Sequence, residues 1–189
     1  MSIKIFWCEW DGKTDSHELL REAVGRYLNR ELEGLAVEYE ENGKPKLRDW
    51  PRVYFSISHS ENIWSCAVGD CPLGLDLQKQ YEKNGEKLAR RFFHPEEVAW
   101  MEVHGFGQFS RIWTYKESYV KYTGTGLREG LDYFSVIPGV LAAGQNREET
   151  GERFRQQEIP FLENFWMVLT SRERQNVMLE HFRDPREEL

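Results

Sequence analysis

The chain has 189 residues, 40% apolar and 14% aromatic, enough to build a core for one domain or for two small halves sharing one interior. A formal net charge of −7 excludes the broadly basic surface of a general nucleic-acid binder, though not a local cationic pocket. No run of about 18 apolar residues is present to form a membrane-spanning helix, and Cys8, Glu9 and Asp11 interrupt the N-terminal stretch before a signal-peptide core builds up.

The segment IKIFWC, residues 3–8, reads as a strand. Ser16 is placed to cap a helix in which Leu19, Leu20, Ala23, Val24, Tyr27 and Leu28 recur at helical spacing, closed by Gly34. Val37 to Tyr39 is a short strand, and Asn42-Gly43-Lys44-Pro45 a turn. Val53 to Ile57 alternates as a strand, Ser58 to Asn62 is a polar loop, and Ile63 to Val68 returns as a strand. After a turn at Gly69-Asp70, Pro72 to Leu77 is another. Residues 86–103 carry a helical pattern broken at His94-Pro95. Gly105 and Gly107 separate it from a helix over Ser110 to Tyr122, which Gly124 and Gly126 end. Strands follow at Tyr133 to Ile137, Phe154 to Gln157, Phe165 to Thr170 and Val177 to Phe182. A charged hairpin loop is expected between Gly144 and Gly151, and a frayed tail from Arg183 to Leu189. The order strand, helix, strands occurs on either side of about residue 70. The expected class is α+β, with two α+β halves, 1–70 and 71–189, packed into one compact unit. Cys8, Cys66 and Cys71 have no metal-ligand spacing and read as thiols of a reducing cytosol.

Four segments carry chemistry. In Pro72 to Gln78, strand alternation sends Leu73, Leu75 and Leu77 one way and Asp76 and Gln78 the other, with Gly74 leaving open space beside them. A carboxylate and an amide oxygen side by side suit a hard cation such as magnesium. In Trp113 to Lys121, Glu117 and Lys121 stand four apart on one helix face, and Gly124-Thr125-Gly126-Leu127 follows as a sharp exit where backbone can approach a ligand. Phe55 to Ser60 runs a strand into Ser58, His59 and Ser60, two hydroxyls and an imidazole able to hold phosphate oxygens. Asn42 to Leu47 holds Lys44 in a rigid Gly/Pro turn. Taken alone, the first segment is more often a half-exposed strand and the second a surface salt bridge, the third is as well read as a loop-capping histidine, and the fourth as a solvated lysine. No nucleophile elbow or spaced His–Asp pair supports a hydrolytic triad.

Together and in this order, the four segments resemble the 4′-phosphopantetheinyl transferase superfamily, in its Sfp-like, pseudodimeric branch, from about Asn42 to Val136. WTYKESYVKYTGTGL is similar to the family's W-(S/T)-x-K-E-S-x-x-K-x-x-G-x-G-L signature at every defined position. GLDLQ corresponds to G-(I/V)-D-(I/V)-E, FSISHS to (F/L)-(N/S)-(I/L)-S-H-S, and RFFHPEE to R-F-F-x-x-x-E ending on Glu97. The resemblance implies transfer of the 4′-phosphopantetheine arm of coenzyme A to a serine of an acyl or peptidyl carrier protein, with Mg2+ as cofactor and 3′,5′-ADP released. It implies Asp76, Gln78 and Glu117 as metal ligands, and Glu117, Lys121 and Asp76 as the catalytic set. Lys44, Ser58, His59, Lys116 and Lys121 would meet the phosphates of coenzyme A, and Glu97 would steady Lys121. These groups should line an open cleft between the halves.

Gln78 stands where the family commonly has a second acid, which implies weaker metal affinity rather than lost activity. The basic residues that hold the 3′-phosphate in many relatives have only Lys13, Arg21 and Arg26 as candidates. The alternative is a catalytically silent carrier-protein or nucleotide binding protein of the same fold, against which the retained Asp76, Lys116, Glu117 and Lys121 speak. The expected setting is a cytoplasmic monomer without nucleic-acid or membrane partners.

Overall fold

The computed structural model describes residues 2–81, 85–126, 130–137, 145–147 and 153–184. In chain order the elements are β1 (Ser2–Glu9), α1 (Ser16–Leu28), β2 (Val37–Tyr39), β3 (Pro45–Leu47), β4 (Tyr54–Ser60), β5 (Ile63–Gly69), β6 (Leu73–Lys79), α2 (Gly85–Phe92), α3 (Pro95–His104), α4 (Phe109–Thr123), β7 (Gln145–Arg147), β8 (Arg153–Glu158), β9 (Phe165–Ser171) and β10 (Asn176–His181). The fold is a mixed α+β one. Two four-stranded sheets, ordered β10-β1-β5-β4 and β6-β9-β8-β7, carry the core, and β2 and β3 form a separate hairpin. In each large sheet the first strand pairs antiparallel with a late strand, which pairs with the one before it: β1-β5-β4 and β6-β9-β8. The C-terminal strand β10 returns to the first sheet, parallel to β1.

Strand alternation places the layers. Ile3 and Ile5 of β1 join Ile63 and Ala67 of β5 against Leu73, Leu75 and Leu77 of β6 and Met167 and Leu169 of β9, in a core between the sheets. Phe6, Cys8, Trp64, Cys66 and Val68 turn the other way, onto Leu19, Leu20, Ala23 and Val24 of α1. Val168 faces a third core built by Ala89, Met101, Phe109, Ile112 and Tyr115 of the later helices and by Phe93 between α2 and α3. Each fully buried Leu or Ile here stabilises the fold by roughly 1.5–3 kcal/mol relative to exposure.

Several elements differ from expectation, each for a hydrogen-bonding reason. Asp15, not Ser16, caps α1 by accepting from the His17 N–H; the Ser16 hydroxyl accepts from the Trp64 indole at 2.8 Å. The break at His94-Pro95 is a capping box, with His94 as N-cap, Pro95 in the first turn and Glu97 reaching back to the His94 N–H at 3.0 Å. Tyr133 to Ile137 is not a strand, because side chains take its backbone bonds: Val136 N–H donates to Glu97 and the Phe134 carbonyl accepts from Lys116. The expected hairpin loop contributes β7, paired antiparallel with β8; residues 148–151 lie outside the described residues. The tail is anchored at its start, where buried Asp184 accepts from the Thr14 hydroxyl; residues 185–189 lie outside the described residues.

Ser58-His59-Ser60 belongs to β4 rather than to a loop. β4 is an edge of one sheet and β6 an edge of the other. In an antiparallel pair, alternate residues turn their N–H groups away from the partner, so β6, paired with β9 on one side, presents a row of free donors on the other. Ser56, Ser58 and Ser60 accept them: their hydroxyls lie 2.9, 3.0 and 2.9 Å from the N–H nitrogens of Leu75, Leu77 and Lys79. Side chains thus stitch the two edges together in a fixed parallel register and leave no exposed β6 edge there.

Candidate active site

Gly74 decides how close helix α4 comes to β6. It leaves no open space; a Cβ there would overlap the Ser118 carbonyl oxygen and the Tyr122 amide nitrogen. Helix backbone therefore rests directly on the strand, and the face bearing Glu117 and Lys121 comes down beside Asp76. Beneath it, the buried Gln156 amide donates to the Tyr115 carbonyl at 2.7 Å and meets the hydroxyls of Ser118 and Thr170, fixing α4 to the second sheet.

Asp76 is 5% exposed, opposite the leucines of its strand as alternation predicts. Its Oδ1 accepts from Lys121 at 2.7 Å and from the Ser58 hydroxyl at 2.9 Å. Its Oδ2 is buried with no hydrogen-bond partner among the described residues. A buried carboxylate oxygen without a donor is costly and rare enough to require a reason. Burial raises the Asp76 pKa, and Lys121 works against that rise. Glu117 is pushed up to about 7, first by burial and then by the charge of Asp76, with Lys121 again opposing. The two acids are near enough to repel.

A cavity of about 340 Å3 opens beside them, between the Asn42–Pro45 turn, Phe55, Ser56 and Ile57 of β4, Glu117, Val120 and Lys121 of α4, and Gly124 and Gly126. Gly124 caps α4 in the left-handed region at φ 77°, and a side chain there would come within 2.6 Å of the Asn42 amide. The turn is docked on the helix end: Asn42 donates to the Thr123 carbonyl, and the Lys44 ammonium to that of Tyr122. Burial lowers the Lys44 pKa. Lys44 thus lines the cavity while bonded to the C-terminus of α4, where cations are favoured.

The remaining candidates divide. Gln78 shares the Asp76 face of β6 and is half-buried, its amide nitrogen 3.4 Å from the Lys79 carbonyl. His59 is exposed, edge-on to Trp10 with ring centres 5.2 Å apart, and is not among the cavity's lining residues. Ser58 is 4% exposed, with its hydroxyl engaged to Asp76 inside the protein. Lys116 is not among the cavity's lining residues either. It is fully buried, 2.8 Å from fully buried Glu97, with the Phe134 carbonyl at 2.6 Å and the Phe134 ring below it. Burial pushes Glu97 up and Lys116 down. Glu97 therefore steadies Lys116 rather than Lys121, because α4 turns Lys116 inward when Glu117 faces the cavity. Of the 3′-phosphate candidates, Lys13 pairs with Asp11, Arg21 donates to the Leu32 carbonyl, and Arg26 pairs with Glu22 and Glu180.

Ser56 and Ser60 have a structural part the motif reading missed. The signal was present: serine at every second position of a strand, with Ile57 and His59 between, puts three hydroxyls on one face.

A family model described as the 4′-phosphopantetheinyl transferase superfamily matches residues 72–177, which spans β6, α4 and both acids. The chain belongs to that superfamily. It is 35% identical over 135 residues to a 4′-phosphopantetheinyl transferase of Bacillus subtilis, and 32% identical over 134 residues to 4′-phosphopantetheinyl transferase Sfp of Bacillus subtilis strain 168. Each match covers 66% of this chain and 59% of the relative. With 4′-phosphopantetheinyl transferase HetI of Nostoc it shares 37% identity over 123 residues, 60% of this chain and 52% of that protein. The chain thus spans about three fifths of the length of the Bacillus relatives it matches.

For a member of this superfamily the question is whether the residues suit a divalent cation. Among the described residues, no three or more His, Cys, Asp or Glu side chains gather as a metal cluster. What is offered is all-oxygen: the Asp76 and Glu117 carboxylates and the Gln78 amide. Unpartnered Asp76 Oδ2 and the repulsion at Glu117 both call for positive charge at this point, and the donor set suits magnesium with part of its water shell retained. The residues fit the ion. No described helix is long and apolar enough to cross a membrane.

Proposed function

We propose that the chain transfers the 4′-phosphopantetheine arm of coenzyme A to a serine of an acyl or peptidyl carrier protein, with Mg2+, releasing 3′,5′-ADP. The observation that carries this reading is the convergence of Asp76 and Glu117, from a strand and a helix, beside a cavity edged by Lys121 and Lys44. Membership of the superfamily supports it.

In this reading the cavity between the Asn42–Pro45 turn, β4 and α4 receives the nucleotide of coenzyme A, with His59 a further phosphate contact beyond it. Magnesium, when bound by Asp76, Glu117 and Gln78, screens the pyrophosphate oxygens. Lys121, 29% exposed beside Asp76, adds positive charge where phosphate oxygens gather. Glu117, at the cavity wall, takes the proton of the carrier serine. The serine oxygen bonds to the phosphorus bearing the arm as the bond from that phosphorus to 3′,5′-ADP breaks. Two related halves, 1–70 on the nucleotide side and 71–189 with the metal ligands, match the shared wiring of the two sheets, in a cytoplasmic monomer.

The test is to incubate the chain with coenzyme A, Mg2+ and a panel of apo carrier proteins and weigh the carriers. Gain of one phosphopantetheine arm, lost in Asp76→Ala, supports transfer. Binding of coenzyme A with no gain on any acyl or peptidyl carrier would identify a silent member of the superfamily instead.

A further inference from the structure

We propose that Ser58 is a positioning residue for the cation site, holding Asp76 by Oδ1 so that Oδ2 is the oxygen offered to the ion. The inference rests on the reading of Asp76 as a metal ligand.

The Ser58 hydroxyl accepts from the Leu77 N–H at 3.0 Å and from the Lys121 ammonium at 3.1 Å. Both partners can only donate. A hydroxyl has one proton and two acceptor places, so these two bonds occupy the acceptor places and leave the proton to be given. Asp76 Oδ1 lies 2.9 Å away to receive it; the Leu77 carbonyl, at 3.5 Å, is the longer alternative. Oδ1 thus has two donors, Ser58 and Lys121, and Oδ2 has none among the described residues. Rotating the carboxyl would break both bonds at Oδ1.

The three serines of β4 provide an internal comparison. Each accepts from one N–H of β6 at about the same distance, so each contributes a rung to the joint between the sheets. Only the middle one also reaches the acid. A purely structural role for Ser58 predicts that the three behave alike. A positioning role sets Ser58 apart, and groups that orient a ligand from behind typically change metal affinity about 10–100-fold.

The experiment measures Mn2+ binding to the full chain by the loss of the free-ion electron paramagnetic resonance signal, without substrate or turnover. Asp76→Ala establishes which bound Mn2+ is being followed. Ser58→Ala is expected to weaken that site roughly tenfold or more, while Ser56→Ala and Ser60→Ala keep the natural affinity and Ser58→Thr, which retains the hydroxyl, restores most of it. If Ser58→Ala does not fold, Ser58→Cys takes its place, since a thiol is a weak donor and acceptor. Natural affinity in the Ser58 variant overturns the inference alone, as does an equal loss in Ser56→Ala or Ser60→Ala, which would make the joint the cause. Absence of a Mn2+ site in the natural chain overturns the reading of Asp76 as a ligand, and the inference with it.

Discussion

Glu117→Gln separates what the acid pair costs the fold from what it offers a ligand. The Glu117 carboxyl is pushed up to about 7 in the folded chain, against an ordinary value of 4.5. The folded state therefore binds this proton more tightly than the unfolded state, and stability falls as pH rises through that window. At roughly 1.4 kcal/mol per pH unit, the ionised carboxylate costs the fold about 3 kcal/mol once pH is above the folded value. Glutamine carries no charge at any pH, and Asp76 is present in both chains. Urea denaturation with a chelator present should find Glu117→Gln more stable than the natural chain by about 2–3 kcal/mol at pH 8, narrowing to below about 1 kcal/mol at pH 5. Excess Mg2+ at pH 8 should then shrink or reverse the difference, because a cation between Asp76 and Glu117 stabilises only the chain that has both acids. A gap equal at the two pH values, or one favouring the natural chain at pH 8 without metal, would refute the account of Glu117 as a repelled, desolvated acid.

Gly74→Ala should destabilise by about 3 kcal/mol or more, at the upper end of overpacking costs, because the new methyl meets helix backbone rather than a side chain; it should also weaken Mn2+ binding by lifting Glu117 from Asp76, and a variant with natural melting temperature would contradict the close approach of α4. Lys116→Met leaves Glu97 buried without its cation and should cost about 3–5 kcal/mol in urea titration; a loss under about 1 kcal/mol would mean the pair is not the anchor its burial implies. Under the proposed function, Gln78→Glu adds a negative charge on the Asp76 face and should lower the Mg2+ concentration giving half-maximal transfer, an idea that an unchanged requirement would defeat.

Spacing in the sequence revealed faces, while partners came only with the fold. Period two told that Asp76 and Gln78 turn away from Leu73, Leu75 and Leu77, and helical spacing told that Glu117 and Lys121 share a face. Neither told that Gly74 admits helix backbone, since a missing Cβ reads equally as open space or as close approach. Serine's habit of forming turns made Ser58 to Ser60 read as loop, because the edge donors they satisfy lie 19 residues later, on another sheet. The backbone bonds that keep Tyr133 to Ile137 from being a strand likewise depend on two buried side chains from distant helices. The same limit governs the charges. The two lysines of the WTYKESYVK stretch looked equivalent as phosphate ligands, yet each is matched to a different buried acid: Lys116 to Glu97 and Lys121 to Asp76. Once those pairs are made, Glu117 is the acid of this cluster left, among the described residues, without a salt bridge of its own. The fold neutralises the acids on either side and leaves this one raised toward neutrality at the cavity wall. An acid so placed is poorly explained by stability, which it lowers, and well explained by a cation or a proton that arrives from outside.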